Sequence, residues 1–293
     1  MARSLLTALA VIVSLAPAGI RAQNPRERAV FVSVVDKHGE PVTELTVRDF
    51  VVREDKATRE VLRVSKADEP IDIAILIDNS AAIDTNVTFM REGLTRLVTA
   101  LQSRNQIALI GLAARPTIIT DYTSDLAKLK GGIGRVFPTP DAAMTLLDAL
   151  VETAKGMEKR PASRAEIVAV ITEGPEYGRY DDRSIITALK KAGAGFNAVT
   201  VGTFSNLTPD EHRYRVMALT KGTAETGGRH DNLMAATGLP SALGKLGRQL
   251  ASEYKVVYSR PDSLIPPEST EVTVSRQGVS ARATPARVAG GPR

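Results

Sequence analysis

The sequence predicts an α/β fold in which a mostly parallel central sheet is flanked by helices. Four apolar segments have the composition of strands buried on both faces: 71–77, 107–112, 165–172 and 196–201. Segments with apolar residues at helical spacing lie between them. Because strands and helices alternate along the chain, a layered α/β arrangement is expected.

The stretch Ile71–Ala82 organises this prediction. Its first seven residues are mostly apolar, and they end on the small polar residues Asp78, Asn79 and Ser80, which favour turns. An amphipathic helix follows, with apolar residues from Phe89 to Leu101. Asp78 and Ser80 should therefore lie at the carboxyl edge of the sheet, where open α/β folds bind ligands.

Residues 1–22 have the pattern of a secretory signal peptide. Arg3 is followed by the apolar core Leu5–Ala16, which is too short to span a bilayer, and Ala22 offers a cleavage point. An uncleaved membrane anchor is the alternative. The chain has no cysteine, which excludes disulfides and a lipoprotein anchor, so the exported protein would depend on its core for stability.

The segment after the signal peptide predicts strands at 29–35, 51–55 and 61–64. Asp49 precedes the second of these; we interpret it as capping a turn, with a ligand role as the alternative. In the C-terminal part, 254–259, 270–274 and 279–283 also have strand patterns. Isolated hairpins are marginally stable, so we expect the strands of both ends to pair into one small β subdomain.

The middle of the chain carries further helix signals. Asp125 can cap a helix over 126–130, and Pro116–Thr120 has the character of an edge strand. Glycines at 131, 132 and 134 raise the alternative of a phosphate-binding loop. We reject it because these glycines follow a helix and lack the Gly-Lys-Ser/Thr ending.

Later helices are expected after Thr145, over 182–192, from Thr208-Pro209 and over 239–252. The predicted organisation is a signal peptide (1–22), an N-terminal β segment (23–68), an α/β domain (69–252), a C-terminal β segment that pairs with the N-terminal one (253–284) and a disordered tail (285–293).

Composition excludes some function classes. The formal net charge of +5 is mild and is not concentrated in a Lys/Arg stripe. Aromatic residues make up 4% of the chain and tryptophan is absent, so stacking platforms for bases or sugars are scarce. Nucleic-acid binding is therefore not expected.

Asp78-x-Ser80 after an apolar strand resembles the start of the metal-ion-dependent adhesion site of von Willebrand factor A (VWA) domains, which have a Rossmann-like fold. The family pattern is Asp-x-Ser-x-Ser, then a distant Thr and a distant Asp. Ala82 stands at the second Ser position, Thr145 matches the Thr, and Glu173 stands where the family has Asp. The site is recognisable but altered.

A second resemblance covers nearly all of the chain after the signal peptide. Residues 34–42, with Leu45 and Asp49-Phe50, are similar to the N-terminal pattern of a bacterial, acidobacterial-type VWA-related family. Thr226–Arg229 and the Tyr254-x-x-x-Tyr258-Ser259 segment resemble its later motifs.

The resemblance implies a site of oxygen ligands, Asp78, Ser80, Thr145 and Glu173, suited to Mg²⁺ or Mn²⁺. Ala82 cannot supply a hydroxyl, and Glu173 is one methylene longer than Asp, which Mg²⁺ tolerates poorly. We therefore expect low metal occupancy. In the alternative hypothesis Asp78 binds no metal and caps the turn and the amides of the next helix.

The expected function is binding and not catalysis. An exported, periplasmic or extracellular protein would bind a protein ligand, such as one presenting a carboxylate, through the degenerate site; after signal cleavage no membrane contact is expected. The alternative is a metal-free scaffold that binds through the β subdomain. A hydrolase using Ser80 with His212 or His230 is disfavoured, because Ser80 is not in a Gly-x-Ser-x-Gly elbow.

Overall fold

The computed structural model describes residues 25–102, 104–202, 209–261, 265 and 267–287. The proposed signal peptide and Thr208 lie outside the described residues. Within the described ranges, no helix has the length and apolar character needed to cross a membrane.

A six-stranded central sheet is built from the four predicted buried strands, the predicted edge strand and one additional strand. Its strands are β5 (Ile71–Ile77), β6 (Gln106–Gly111), β7 (Thr117–Thr123), β8 (Arg164–Thr172), β9 (Gly195–Val201) and β10 (His230–Leu233). The order is β10-β9-β8-β5-β6-β7. β5, β8 and β9 are buried throughout, as their apolar sequences predict. β7 alone runs antiparallel, at one edge, so the predicted mostly parallel α/β sheet is confirmed.

Helices cover both faces of this sheet. They are α1 (Val87–Ala100), α2 (Leu126–Gly134), α3 (Leu146–Glu158), α4 (Asp182–Ala192), α5 (Pro209–Met217), α6 (Thr223–Glu225) and α7 (Leu239–Ala251). α1, α2 and α7 pack into one buried core with the inner face of β5, while α3 and α4 pack on the opposite face. A π-helical turn, Ala218–Gly222, joins α5 to α6.

The remaining strands form two antiparallel sheets. The first contains β1 (Pro25–Asp36), β4 (Val61–Lys66), β11 (Tyr254–Pro261) and β13 (Val279–Pro285) in the order β13-β1-β11-β4. The second contains β2 (Phe50–Glu54), β3 (Ala57–Arg59) and β12 (Thr270–Val274) in the order β12-β2-β3. Val32, Val52 and Val256 belong to one apolar cluster that draws residues from both sheets, so they share a core.

Strands from both ends of the chain pair in these sheets, as their alternating patterns led us to expect. β1 pairs with β11 and β13, and β2 pairs with β12. The boundaries of the five proposed segments stay a prediction. One detail differs: Pro285 belongs to β13 and the Ala286 amide donates to the Ala29 carbonyl, so this part of the proposed tail is ordered by pairing. Residues 288–293 lie outside the described residues.

Two local expectations change and one holds. The predicted helix over 126–130 continues to Gly134, so the three glycines lie within α2 and form no loop. β7 begins at Thr117 and extends to Thr123. Asp49 caps a turn, because its Oδ2 accepts hydrogen bonds from the amide (2.6 Å) and hydroxyl (2.9 Å) of Thr46.

A buried charge cluster joins the β subdomain to the amino end of the central sheet. Glu253 precedes β11 and pairs with Arg164 of β8 at 2.7 Å. Glu166, two residues further along β8, accepts a hydrogen bond from Asn197 Nδ2 at 2.8 Å. All three charged side chains are buried, so two carboxylates share one adjacent guanidinium.

We expect this cluster to make stability depend on pH. Burial, and then the charge of Glu253, raise the pKa of Glu166 well above its ordinary value of 4.5. The folded chain therefore binds a proton that the unfolded chain releases. The free energy of unfolding should fall as pH rises from about 5 into the neutral range. Arg229 and Arg282 line the same small cavity, and the positive charge of Arg164 acts against the rise of both carboxyl pKa values.

The variant Glu166→Gln tests this dependence, because an amide keeps the hydrogen bond and cannot ionise. Urea unfolding at pH 5 and pH 8 should show a smaller loss of stability in the variant than in the native chain. The exposed Glu60→Gln is the matched control and should leave the loss unchanged. Equal losses in all three proteins would contradict the prediction.

The surroundings of Gly93 and Gly131 predict opposite effects of a glycine-to-alanine substitution on stability. A Cβ on Gly93 in α1 would lie 2.8 Å from Leu243 Cδ1 and 3.1 Å from the Leu239 carbonyl of α7, whereas a Cβ on Gly131 in α2 would meet nothing within 4 Å. Gly93→Ala should destabilise the protein by about 1–3 kcal/mol through overpacking. Gly131→Ala should stabilise it by about 0.5–1 kcal/mol through helix propensity. Denaturant titration measures both.

Candidate functional site

Asp78 is fully buried at the carboxyl end of β5 and ties this strand to β8. Its Oδ1 accepts a hydrogen bond from the Ser80 amide at 2.9 Å. Its Oδ2 accepts from the amide (3.1 Å) and hydroxyl (2.5 Å) of Thr172. The carboxylate thus caps the turn that follows β5, and it fixes the relative position of two strand ends.

Ser80 begins a short 3₁₀ helix, Ala81–Asn86, that precedes α1. Its Oγ accepts from the Ala82 amide at 3.3 Å. A Cβ placed on Gly174 would lie 3.1 Å from Ala82 Cβ and 3.5 Å from Ser80 Oγ, so the loop after β8 passes directly over these residues. A methyl group therefore faces this loop at the position where the adhesion site would have a hydroxyl.

Thr145 lies just before α3 and belongs to the same edge. Its Oγ1 donates to the Leu112 carbonyl at 2.8 Å, and its amide donates to the same oxygen at 3.0 Å. The Met144 amide donates to the Pro175 carbonyl at 3.0 Å. Asn79 completes the network, since its Oδ1 accepts from the Ala113 amide at 2.9 Å. The loops after β5, β6 and β8 and the start of α3 are therefore brought together, as the sequence predicts.

Glu173 differs from the other three predicted residues. It follows β8, but its side chain lies against Gly202 at the end of β9, where a Cβ would overlap the carboxylate. Gly202 has φ +91°, which also favours glycine. In the sheet order, β9 lies on the side of β8 away from β5, so the carboxylate points away from Thr145.

An ion pair that the sequence reading missed lies below the same loops. Arg215 of α5 and Glu176 are both completely buried, and Arg215 Nη2 is 3.1 Å from Glu176 Oε2. Glu176 Oε1 also accepts from the Leu147 amide in the first turn of α3 at 3.2 Å. Burial raises the pKa of Glu176 to about 7, with the positive charge of Arg215 acting in the opposite direction.

A sequence signal for Arg215 existed. It lies three, four and seven residues before Ala218, Leu219 and Gly222, all of which are buried. This spacing places Arg215 on the inward face of the helix. Glu176 carries no comparable signal, because it lies in a loop.

A cleft of about 570 Å³ opens beside Thr145. Its lining includes Arg115, Glu152, Tyr177 and Arg179. Tyr177 is 68% exposed, and Arg179 is held in place by Asp148, with 3.0 Å between Nε and Oδ2. Ala114 has φ +60°, a strained conformation for this residue, and it precedes the exposed Arg115 at the cleft.

The described side chains do not fit the metal site of the family pattern. Ala82 provides no oxygen, the Glu173 carboxylate is turned towards Gly202, and the buried cation Arg215 lies beside the loop that would close the site. Within the described ranges, no three His, Cys, Asp or Glu side chains are grouped to hold a metal ion. Asp78, Ser80 and Thr145 alone provide one carboxylate and two hydroxyls.

The hydrolase alternative gains no support from the contacts of its residues. The Oγ of Ser80 accepts from the Ala82 amide. His230 lies at the start of β10, and its Nε2 is 3.0 Å from Thr200 Oγ1. His212 belongs to α5. Neither histidine has a described contact with Ser80.

Comparison with known proteins agrees with this architecture. Residues 73–175 match the family model described as the von Willebrand factor type A domain. This range runs from β5 through the loop after β8 and contains Asp78, Ser80, Thr145 and Glu173. A search of curated proteins gave no match.

Two solved structures are similar in fold. A von Willebrand factor type A protein from Catenulispora acidiphila has a TM-score of 0.51 and 11% identity, with 91% of this chain and 73% of that chain covered. Proximal thread matrix protein 1 from the mussel byssus has a TM-score of 0.51 and 18% identity, covering 67% of this chain and 50% of that one.

The mussel protein has also been solved with zinc in its metal-ion-dependent adhesion site (TM-score 0.51, 18% identity, 68% and 49% covered). This chain thus spans about half the length of the mussel proteins it matches. Identities this low show the fold alone. Together with the family match over residues 73–175, they show that the central sheet and its helices have the von Willebrand factor type A fold.

Proposed function

We propose that this chain is an exported interaction protein that binds a partner protein at the carboxyl edge of its central sheet. The observation that carries the proposal is the cleft beside Thr145, which is lined by the loops after β6 and β8, the start of α3 and one residue of α5. Tyrosine and arginine are frequent hot-spot residues of protein interfaces, and Tyr177, Arg115 and Arg179 are all exposed at this cleft.

The lining of the cleft carries two guanidiniums, Arg115 and Arg179, and three carboxylates, Asp148, Glu152 and Glu211, and Arg115 is the group that can receive an acidic side chain of the partner. Arg179 is paired with Asp148 at 3.0 Å and approaches Glu152 at 3.8 Å, so its charge is largely balanced. Arg115 is exposed on a turn held by hydrogen bonds from Ala114 to Ala143 (2.8 Å) and from Arg115 to Ala113 (2.6 Å). A guanidinium held on such a turn can bind a carboxylate in bidentate geometry.

Two further parts of the proposal come from the sequence. The signal pattern of residues 1–22 supports export to the periplasm or the exterior. Asp78, Ser80 and Thr145 form a degenerate adhesion site with low affinity for Mg²⁺ or Mn²⁺, because Ala82 and the displaced carboxylate of Glu173 do not complete it. The protein acts by binding and not by catalysis. The mussel thread matrix protein, with zinc in its site, shows that a protein of similar fold can bind metal there.

A metal-free scaffold that binds through the β subdomain is the second candidate. β12 supports it, because Glu271 and Thr273 are exposed on this strand at one edge of the three-stranded sheet. An edge strand presents unpaired backbone groups to another chain.

Metal dependence distinguishes a working adhesion site from a degenerate one. We expect the melting temperature of the native chain to be the same in EDTA and in millimolar Mg²⁺ or Mn²⁺, since ligand-linked stabilisation vanishes when the ligand concentration is well below Kd. The double variant Ala82→Ser with Glu173→Asp should gain a metal-dependent rise. A large rise in the native chain that Asp78→Ala abolishes would refute the degenerate site.

The binding surface is tested by capture of partners from an extract of the native host. Tyr177→Ala with Arg115→Glu should reduce recovery of the captured protein at least tenfold, a loss of about 1.4 kcal/mol or more. The matched control Glu271→Lys changes the edge of the β subdomain and should leave recovery unchanged. If Glu271→Lys alone reduces recovery, the scaffold alternative is the correct one.

A further inference from the structure

We propose that the guanidinium of Arg215 is the permanent cation of this site and takes the place of the divalent metal. The proposal deepens the function proposed above and rests on it for the location of the site. Two observations support it. Arg215 makes contacts with other buried groups, and the residues present do not match the metal-ion-dependent adhesion site motif.

Arg215 reaches the loop that covers Ser80 and Ala82. Its Nη2 donates to the Gly174 carbonyl at 2.9 Å and to Glu176 Oε2 at 3.1 Å. Gly174 is the residue that passes over Ala82 and Ser80. The positive charge is thus fixed by a backbone carbonyl one residue beyond Glu173.

Two buried acidic groups lie near this charge. Asp78 and Glu176 are both completely buried. Burial lowers the pKa of Arg215, and the negative charges of Glu176 and then Asp78 oppose this lowering. Buried carboxylates are stable only when they are hydrogen-bonded or paired with a cation. Arg215 provides the cation from within the fold.

The same arrangement explains why a metal fits poorly. A divalent ion beside Ser80 would be a second cation near the guanidinium, and the Glu173 carboxylate that could balance it lies against Gly202. Ala82 offers no oxygen to complete the coordination. Removal of the guanidinium should therefore expose negative charge that a divalent ion can bind.

The experiment measures the melting temperature of the full chain in EDTA and in millimolar Mg²⁺ or Mn²⁺. The native chain should not respond. Arg215→Met should be less stable than the native chain in EDTA, and metal should raise its melting temperature by about 2–4 °C. Adding Asp78→Asn should abolish this rise. Arg213→Met, on the exposed face of the same helix, is the matched control and should not respond.

A second variant keeps the test informative if Arg215→Met does not fold. Arg215→Met with Glu176→Gln removes both members of the buried pair, which is far less disruptive than removal of one. The positive charge that acts on Asp78 through space is then removed, so this variant should also gain a metal response. If both folded variants melt identically with and without metal, the proposal is overturned while the proposed binding function stands. A native chain that already responds overturns the permanent cation and the degenerate site together.

Discussion

The hydrogen bonds that Thr172 donates to Asp78 are the contact on which the candidate site depends. They join the ends of β5 and β8, two buried parallel strands at the centre of the sheet, through a carboxylate with no access to water. Because both strand ends are fixed, the loops that follow them have a defined relative position. The 3₁₀ helix after Ser80 and the loop through Gly174 can then pack within van der Waals distance.

At the opposite end of the sheet, a second buried arginine attaches the β subdomain to the central sheet. There Arg164 pairs with Glu253 and also donates to the Glu69 carbonyl at 2.8 Å, so one buried guanidinium links β8 to the strands of the β subdomain. Arg164 also lies over the ring of Phe31 of β1, 4.8 Å from its centroid. At both ends of β8, a buried arginine therefore connects the central sheet to elements distant in sequence.

The sequence predicted the strands well because burial on both faces leaves a continuous apolar pattern, as in 71–77 and 165–172. It also located Asp78, Ser80 and Thr145 at one edge, since each adjoins a predicted strand or helix. The direction of the Glu173 side chain could not be predicted, because it depends on the space beside Gly202, which is distant in sequence. The helix predicted over 126–130 was too short, because composition alone does not show that it continues through Gly131, Gly132 and Gly134.

The presence of Asp78-x-Ser80 is weak evidence for a bound metal, because both side chains also make hydrogen bonds that stabilise the fold. Asp78 accepts three hydrogen bonds and Ser80 caps the following 3₁₀ helix, so replacing either would disturb the strand ends whether or not an ion is present. Ala82 has no polar side-chain group, and the Glu173 carboxylate lies against Gly202. These two positions, together with the buried Arg215, therefore carry the information about metal, and all three indicate a site whose charge is balanced from within the protein.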